Sequence, residues 1–188
     1  GSTPKRLYEI LGTSLPPDVT WVLVDERWVP KSDPQSNAAM IERTLFARGL
    51  PERWLAFDTS LASAAETARV FEAQWTRLGI ESLDLVLLGC GDDGHTASLF
   101  PGTGAIEVED RIAIDVWVAR LEQWRVTITK PVIRAAKQRI VLAAGAAKAK
   151  VIREVREGVP HPIALATQGV ETWWLVDRAA AGEIPQPR

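Results

Sequence analysis

The segment that most constrains the fold is a short apolar run that ends in a cluster of glycines. Residues 83–88 read Leu-Asp-Leu-Val-Leu-Leu, and residues 89–95 follow as Gly-Cys-Gly-Asp-Asp-Gly-His. A run of this length and apolar content is typical of a strand that is buried on both faces, as in a parallel sheet. Because such a strand needs a covering layer on each side, we expect helices on both faces of the sheet.

The rest of the chain alternates between strand and helix patterns. Strands are predicted for residues 20–24, 111–118, 125–129, 140–144 and 172–176, and helices for residues 2–12, 36–48, 62–78 and 147–157. This order predicts an α/β fold: a three-layer αβα sandwich with a mostly parallel, Rossmann-like sheet. We expect residues 1–188 to form one domain, since no linker or repeat divides them.

Composition excludes several classes of protein. The 188 residues carry 22 basic and 24 acidic side chains, for a net charge of -2, which leaves no broad basic face for nucleic acid. No apolar stretch approaches the roughly 18 to 20 residues of a membrane span. The single cysteine, Cys90, fits a reducing compartment, and with two histidines beside it no structural zinc site is expected. We therefore expect a cytoplasmic protein without metal, either a monomer or a homodimer.

Three predicted strands are followed by loops that contain charged residues, and two of these loops also contain glycine. They are residues 25–27 (Asp-Glu-Arg), residues 89–95, and residues 145–148 (Gly-Ala-Ala-Lys). In an open parallel sheet, ligands bind beyond the carboxyl ends of the strands. The three loops are therefore expected to meet on one rim and to form the functional site there.

Residues 89–95, called the glycine loop below, can be interpreted in more than one way. They match the G-x-G-x-x-G pattern of dinucleotide-binding proteins. However, two aspartates would repel a pyrophosphate, and Pro101 ends the following segment before a helix can present its N-terminus. Cys90 with His95 could form a nucleophile and base, but a thiol in this setting is more often a small buried side chain. Neither interpretation is favoured.

His95 is a candidate general base. An imidazole, with an ordinary pKa of about 6.5, suits proton transfer at neutral pH, and Asp93 could fix its tautomer or position a substrate hydroxyl. A structural histidine bonded to a loop carbonyl fits the same spacing equally well, so both roles stay open. His161, which lies between two prolines, is predicted to be a surface residue.

Two cations and two hydroxyl residues could hold an anion at the same rim. Lys148 is predicted to lie in the first turn of a helix, where its charge opposes the helix dipole unless an anion binds there. Arg27 could pair with an acidic neighbour, or it could bind a phosphate group with two parallel hydrogen bonds. Ser2 and Thr3, at the start of the first predicted helix, could add hydroxyl and backbone N–H donors.

Together these segments resemble the 6-phosphogluconolactonase family, which is sister to the glucosamine-6-phosphate deaminases. In chain order, the resemblance is carried by residues 1–4, 25–30 with 36–37, 88–102, 125–129 and 145–148. It implies hydrolysis of 6-phospho-D-glucono-1,5-lactone, a small phosphosugar lactone, without metal or organic cofactor. It implies that His95 is the base and that Asp93 orients His95 or a sugar hydroxyl. The substrate-binding residues that it implies are Ser2, Thr3, Asp25, Arg27, Gly91, Arg125 and Lys148.

Two positions favour the lactonases over the deaminases. The deaminases look like Asp-Glu-Tyr where this chain has Asp-Glu-Arg at residues 25–27, and they carry a glutamate where this chain has Phe100. Loss of that carboxylate removes a group that ring opening and isomerisation use. A phosphosugar deaminase or isomerase is the alternative enzyme, and a non-catalytic sugar-phosphate sensor is the alternative from another class.

The N-terminus and Cys90 depart from the family pattern. Family members resemble this chain preceded by a helix and a strand that ends in a Gly-Gly turn, and they often carry methionine or another apolar residue in place of Cys90. We therefore expect the native protein to be longer than 188 residues.

Overall fold

A computed structural model describes residues 3–182. The helices are α1 (Lys5–Leu11), α2 (Asn37–Thr44), α3 (Ala64–Arg77), α4 (Lys130–Ala135), α5 (Ala149–Arg156), α6 (Pro162–Thr167) and α7 (Arg178–Ala181). The strands are β1 (Trp21–Val22), β2 (Asp25–Arg27), β3 (Trp54–Leu55), β4 (Leu85–Gly89), β5 (Ala113–Val118), β6 (Gln123–Ile128), β7 (Gln138–Ala143) and β8 (Thr172–Val176). Three short 3-10 turns cover Ala105–Glu107, Ala119–Leu121 and Ala146–Lys148.

The parallel strands β1, β4, β7 and β8 lie within the segments predicted as strands or close to them, whereas their fellow parallel strand β3 was not predicted. Strand β7 lies between β4 and β8 and is parallel to both, and β1 is parallel to β3. The side chains of Val86 and Leu88 on β4 and of Val141 on β7 are buried on one face of this sheet. On the other face of β4, Leu85 is 52% exposed, so the predicted burial of this strand on both faces is wrong. The predicted three-layer α/β sandwich with mostly parallel strand pairing is confirmed.

The segment Asp25–Arg27 corrects one prediction, because it is a strand and not a loop. After β1 the chain stops pairing with β3, and β2 pairs antiparallel with β6, which in turn pairs antiparallel with β5. The switch occurs at Val24, whose carbonyl accepts a hydrogen bond from the backbone N–H of Ile128 at 3.0 Å. Arg27 therefore lies directly opposite Arg125 in the β2–β6 register.

Glu26 anchors strand β2 to the N-terminus of helix α2. Its side chain is 1% exposed, and its two carboxylate oxygens accept hydrogen bonds at 2.6 to 3.1 Å from three backbone N–H groups and one hydroxyl. The donors are the N–H groups of Arg27, Asn37 and Ala38 and the hydroxyl of Ser36. Burial raises the pKa of Glu26, and these four hydrogen bonds offset part of that shift. The carboxylate thereby fixes the position of Arg27 relative to α2.

Replacing Glu26 with glutamine should destabilise the fold. An amide group in place of one carboxylate oxygen faces N–H and O–H donors, so at least one buried donor loses its acceptor. We expect a loss of about 1 to 3 kcal/mol in the free energy of unfolding, measured by urea denaturation with an unchanged m-value. Glu52→Gln, at an exposed position, is the control. Equal midpoints for the two variants would contradict the anchoring role of Glu26.

The four predicted helices are present, with shifts in their bounds. Ser36 and Ser63 cap α2 and α3 by accepting hydrogen bonds from Ala39 and Glu66. Helix α1 has Pro4 at its N-cap position and no side-chain hydrogen bond there, so Thr3 does not cap it, and Ser2 lies outside the described residues. Strand β3 and helices α4, α6 and α7 were not predicted. None of the helices within residues 3–182 is both long and apolar enough to cross a membrane.

Candidate active site

The glycine loop leaves β4 and folds back on itself. The backbone N–H of Gly91 donates to the carbonyl of His95 at 2.8 Å, and the N–H of Gly94 donates to the carbonyl of Gly91 at 3.1 Å. Gly94 has a φ of 78°, a left-handed conformation that favours glycine. The first helical element after the loop is the 3-10 turn at Ala105–Glu107, so the loop does not lead directly into an α-helix.

His95 and Asp93 form a direct pair within this loop. The Nδ1 atom of His95 lies 2.5 Å from Oδ1 of Asp93, and the same oxygen accepts a hydrogen bond from the backbone N–H of His95 at 3.2 Å. Burial alone would raise the pKa of Asp93, but the hydrogen bonds from His95 and the charges of His95 and Arg120 lower it. An ionised Asp93 accepts the proton on Nδ1, which leaves Nε2 as the ring nitrogen that can take a proton.

Gly91 leaves the space that the imidazole ring occupies. A methyl group at this position would lie 2.0 Å from Nδ1 of His95 and 2.7 Å from Oδ1 of Asp93. Both distances are far below van der Waals contact. Any side chain at position 91 therefore displaces the pair, and this explains the glycine without any need for a special backbone angle.

Arg120 completes the group, and the sequence analysis missed it. This residue lies in the 3-10 turn between β5 and β6, and its Nη2 atom is 2.5 Å from Oδ2 of Asp93. The ring of Phe100 stacks on His95 with a centroid distance of 4.1 Å, and the guanidinium carbon of Arg120 lies 5.2 Å from the Phe100 centroid. Strands 111–118 and 125–129 were both predicted, but only their pairing as a hairpin brings Arg120 to the glycine loop.

The glycine loop and the segment after β7 meet around one cavity of about 200 Å³. Its lining residues are Gly91, Asp92, Asp93, His95, Arg120 and Lys148. Lys148 is the last residue of a 3-10 turn and directly precedes α5, and its ammonium group pairs with the carboxylate of Asp92. The expected meeting of these two strand ends is therefore confirmed. A larger cavity of about 580 Å³ near Trp75 and Arg111 contains none of these residues.

The β2–β6 strands carry a second group of predicted site residues. The carboxylate of Asp25 accepts a hydrogen bond from the Ser98 hydroxyl at 2.7 Å, and Nη1 of Arg27 donates to Oδ1 of Asn37 at 3.1 Å. Arg125 is 8% exposed, and its guanidinium carbon lies 5.5 Å from the centroid of the Phe100 ring that stacks on His95. Phe100 therefore joins this group to the His95 group.

Two of these arginines have buried donors that find no acceptor. Among the described residues, Nε of Arg27, Nε of Arg125 and Nε1 of Trp28 are buried without a hydrogen-bond partner. Burial lowers the pKa of Arg125, and the adjacent charge of Arg27 lowers it further. Because buried unpaired donors and adjacent cations are both unfavourable, an anion bound at this place would relieve both costs.

The two remaining candidates for chemistry differ in outcome. Cys90 is buried, and burial raises the pKa of its thiol to about 11, so it is the small buried side chain that the sequence favoured. His161 was predicted to be a surface residue, and this is wrong. Its side chain is 17% exposed, its Nε2 lies 2.8 Å from Oε2 of Glu154, and a methyl group on Gly94 would overlap its ring. The ring packs against the back of the glycine loop.

The predicted N-terminal hydroxyls are only partly described. Ser2 lies outside the described residues, and Thr3 is exposed just before α1. Tyr8, on α1, is half-buried, and burial and, to a smaller extent, the charge of Asp25 raise its pKa to about 12. Within residues 3–182, no cluster of three or more His, Cys, Asp or Glu side chains is arranged to hold a metal ion.

Comparison with known proteins identifies the family. Residues 1–174 match the family described as glucosamine-6-phosphate isomerases/6-phosphogluconolactonase. The chain belongs to this family. It is 36% identical to the 6-phosphogluconolactonase of Nostoc sp., over 98% of this chain and 82% of that protein. It is 32% identical to 6-phosphogluconolactonase 3 of Saccharomyces cerevisiae, with the same coverage of each chain.

A solved structure from this isomerase/lactonase family has the same fold. The crystal structure of 6-phosphogluconolactonase from Leishmania guyanensis superposes with a TM-score of 0.86 and 30% identity, over 99% of this chain and 84% of that chain. Position 100 is one of the two positions at which the sequence favours the lactonases over the deaminases, since the deaminases resemble this chain with a glutamate there. Here Phe100 is buried and stacks on His95, so the position next to the imidazole carries a hydrocarbon ring and no carboxylate.

Proposed function

We propose that this protein hydrolyses 6-phospho-D-glucono-1,5-lactone to 6-phospho-D-gluconate, the second step of the oxidative pentose phosphate pathway. The observation that carries the proposal is the Asp93–His95 pair on a cavity that Lys148 also lines. The pair supplies a base for water, and the lysine supplies a cation for a phosphate group. The relatives described above are named for this reaction.

The imidazole of His95 moves the proton in both halves of the reaction. Its Nε2 takes a proton from a water molecule, whose oxygen forms a bond to the lactone carbonyl carbon. The resulting imidazolium then gives that proton to the ring oxygen as the carbon–oxygen bond breaks, and the product is an open-chain acid. Asp93 holds Nδ1 and stabilises the positive charge that forms on the ring.

One cation that lines the cavity and two on the neighbouring β2–β6 strands hold the substrate by its phosphate group. We place the 6-phosphate between Lys148 and the pair Arg27 and Arg125, whose buried Nε atoms lack acceptors among the described residues. Asp25, Gly91 and the N-terminal Ser2 and Thr3 complete the proposed substrate-binding set. In this arrangement the bound phosphate holds the lactone carbonyl at a fixed distance from His95. Such positioning of a reacting group next to its base increases the rate of the reaction.

Removal of either phosphate cation should weaken the binding of phosphorylated ligands selectively. For Arg27→Ala and Lys148→Ala, we expect 6-phosphogluconate to lose roughly 1.5 to 3 kcal/mol of binding free energy, and unphosphorylated gluconate to lose much less. Isothermal titration calorimetry measures both ligands. Lys150→Ala is the matched control for Lys148→Ala, because Lys150 is exposed on α5 and pairs with Glu154. Equal losses for both ligands would show that these residues do not bind the phosphate.

One assay separates this proposal from its alternatives. Freshly generated phosphogluconolactone and glucosamine 6-phosphate are offered to the same enzyme preparation, and each rate is compared with the spontaneous rate. We expect hydrolysis of the lactone and no release of ammonia from the amino sugar. Ammonia release without lactone hydrolysis would favour the deaminase, and tight binding of 6-phosphogluconate without turnover of either compound would favour a sensor.

The proposed setting of the enzyme is the cytoplasm, as a monomer or a homodimer. A single cysteine that is buried, with a thiol pKa raised by that burial, fits a reducing compartment. The reaction needs only water and a small phosphosugar, so no macromolecular partner is part of the proposal.

A further inference from the structure

Arg120 contacts the proposed catalytic pair without belonging to any predicted loop. Its Nη2 atom lies 2.5 Å from Oδ2 of Asp93, while Nδ1 of His95 lies 2.5 Å from Oδ1 of the same carboxylate. Asp93 therefore bridges the guanidinium and the imidazole, and each partner uses a different oxygen. Arg120 thus holds one oxygen of the carboxylate, and the other oxygen points toward the histidine.

The position of Arg120 is fixed by two further features. It lies in the tight turn between β5 and β6, where Val118 pairs with Gln123 and Glu122 has a left-handed φ of 46°. Its guanidinium also contacts the ring of Phe100, the same ring that stacks on His95. Although the Arg120 side chain is 56% exposed, it is held between a carboxylate and an aromatic ring.

We propose that Arg120 is a positioning residue that acts through Asp93 to keep the proton of neutral His95 on Nδ1 and Nε2 ready to accept one. That this tautomer matters for catalysis rests on the proposed function above. A carboxylate that is held by Arg120 cannot rotate away from His95, and it stays ionised. The positive charge of Arg120 also balances the negative charge of Asp93 beside the ring.

Other charged groups near the pair are already matched with partners or act from a greater distance. Lys148 pairs with Asp92 across the cavity, and His161 pairs with Glu154 behind Gly94. The remaining neighbours are Arg125, which lies over the Phe100 ring, and the thiol of Cys90, whose pKa is raised to about 11 by burial. Asp93 itself is kept ionised, because the hydrogen bonds from His95 and the Arg120 charge outweigh the effect of burial on its pKa. Arg120 is therefore the cation in direct contact with this carboxylate within the described chain.

The first test is the pH profile of kcat/KM for Arg120→Gln, Arg120→Lys and the wild-type enzyme. Without the cation, Asp93 attracts a second proton to the imidazole more strongly, so the acid limb of the profile should move to higher pH. A shift of about 0.5 to 1 pH unit is the scale for one charge at this separation in a partly solvated site. Arg120→Lys keeps the charge and should stay near the wild-type midpoint. Arg77→Gln, at an exposed position at the end of α3, is the control for loss of one positive charge.

The second test does not depend on turnover. NMR of ring-labelled histidine follows the protonation midpoint and the tautomer of His95 directly in the wild type and in Arg120→Gln, with His161 as an internal reference. We expect an upward shift of the midpoint and a loss of the pure Nδ1–H tautomer for His95 in the variant. An unchanged His95 signal would overturn the role of Arg120 even if the lactone is hydrolysed. A shifted signal in a protein that does not hydrolyse the lactone would instead refute the proposed function and leave the positioning role intact.

Discussion

Replacement of His95 with asparagine is expected to lower kcat for lactone hydrolysis by a factor on the order of 10² to 10⁴. Asparagine can keep a hydrogen bond to Asp93 from about the position of Nδ1, but it has no group that takes a proton from water at neutral pH. Binding of 6-phosphogluconate should change little, because the phosphate cations are untouched. Stopped-flow measurement with fresh lactone gives kcat, and calorimetry gives the affinity for the product.

The other histidine provides a control for this prediction. His161→Asn makes the same chemical change at a ring that packs against Gly94 and does not line the cavity, so we expect a much smaller loss of kcat. If His95→Asn kept most of its kcat above the rate of spontaneous hydrolysis, His95 would be a structural histidine. The sequence left that interpretation open, and the proposed mechanism would then need another base.

The second large effect is expected from a single methyl group at position 91. In Gly91→Ala the new Cβ would lie 2.0 Å from Nδ1 of His95 and 2.7 Å from Oδ1 of Asp93, so the pair has to separate or move. Misplacement of a reacting group by about 1 Å can cost on the order of 10²-fold in rate, and we expect a loss of kcat of that size. Circular dichroism and the urea midpoint should show that the variant is folded.

Gly89→Ala is the matched control for this methyl group. Gly89 lies two residues earlier, at the end of β4, and a methyl group added there meets no atom within 4 Å. We expect Gly89→Ala to behave like the wild type in both activity and stability. Similar losses of activity for the two variants would mean that the glycine loop needs flexibility at both positions, and that the close contact between Gly91 and the imidazole is not the cause.

Much of the site was predictable because it depends on strand ends. The apolar run of residues 83–88 predicted where β4 ends, and Asp93 and His95 follow within a few residues, so their proximity is a local property of the chain. Lys148 follows the end of β7 in the same way. Parallel neighbouring strands end at the same edge of a sheet, and the cavity formed by the two loops confirms that expectation.

The parts that were not predicted depend on pairing between distant segments. Arg120 reaches Asp93 only because β5 and β6 form a hairpin whose turn faces the glycine loop, and nothing in the local sequence indicates that direction. Asp25–Arg27 has the polar composition of a loop, yet it is a strand, because β6 pairs with it and a buried carboxylate anchors it. His161 was placed on the surface because prolines flank it, whereas its ring is covered by a loop from far earlier in the chain.

The contacts that assemble the site also determine when activity can appear during folding. Asp25 and Ser98 are 73 residues apart in the chain, Lys148 and Asp92 are 56 apart, and Arg120 and Asp93 are 27 apart. Each contact closes a long loop of chain, and the entropy cost of closing the loop comes before the contact contributes any favourable energy. A partly folded chain with its helices formed but these loops open therefore has the catalytic residues and no active site. Recovery of turnover after dilution from denaturant should accordingly report the last stages of folding, later than the recovery of helical signal.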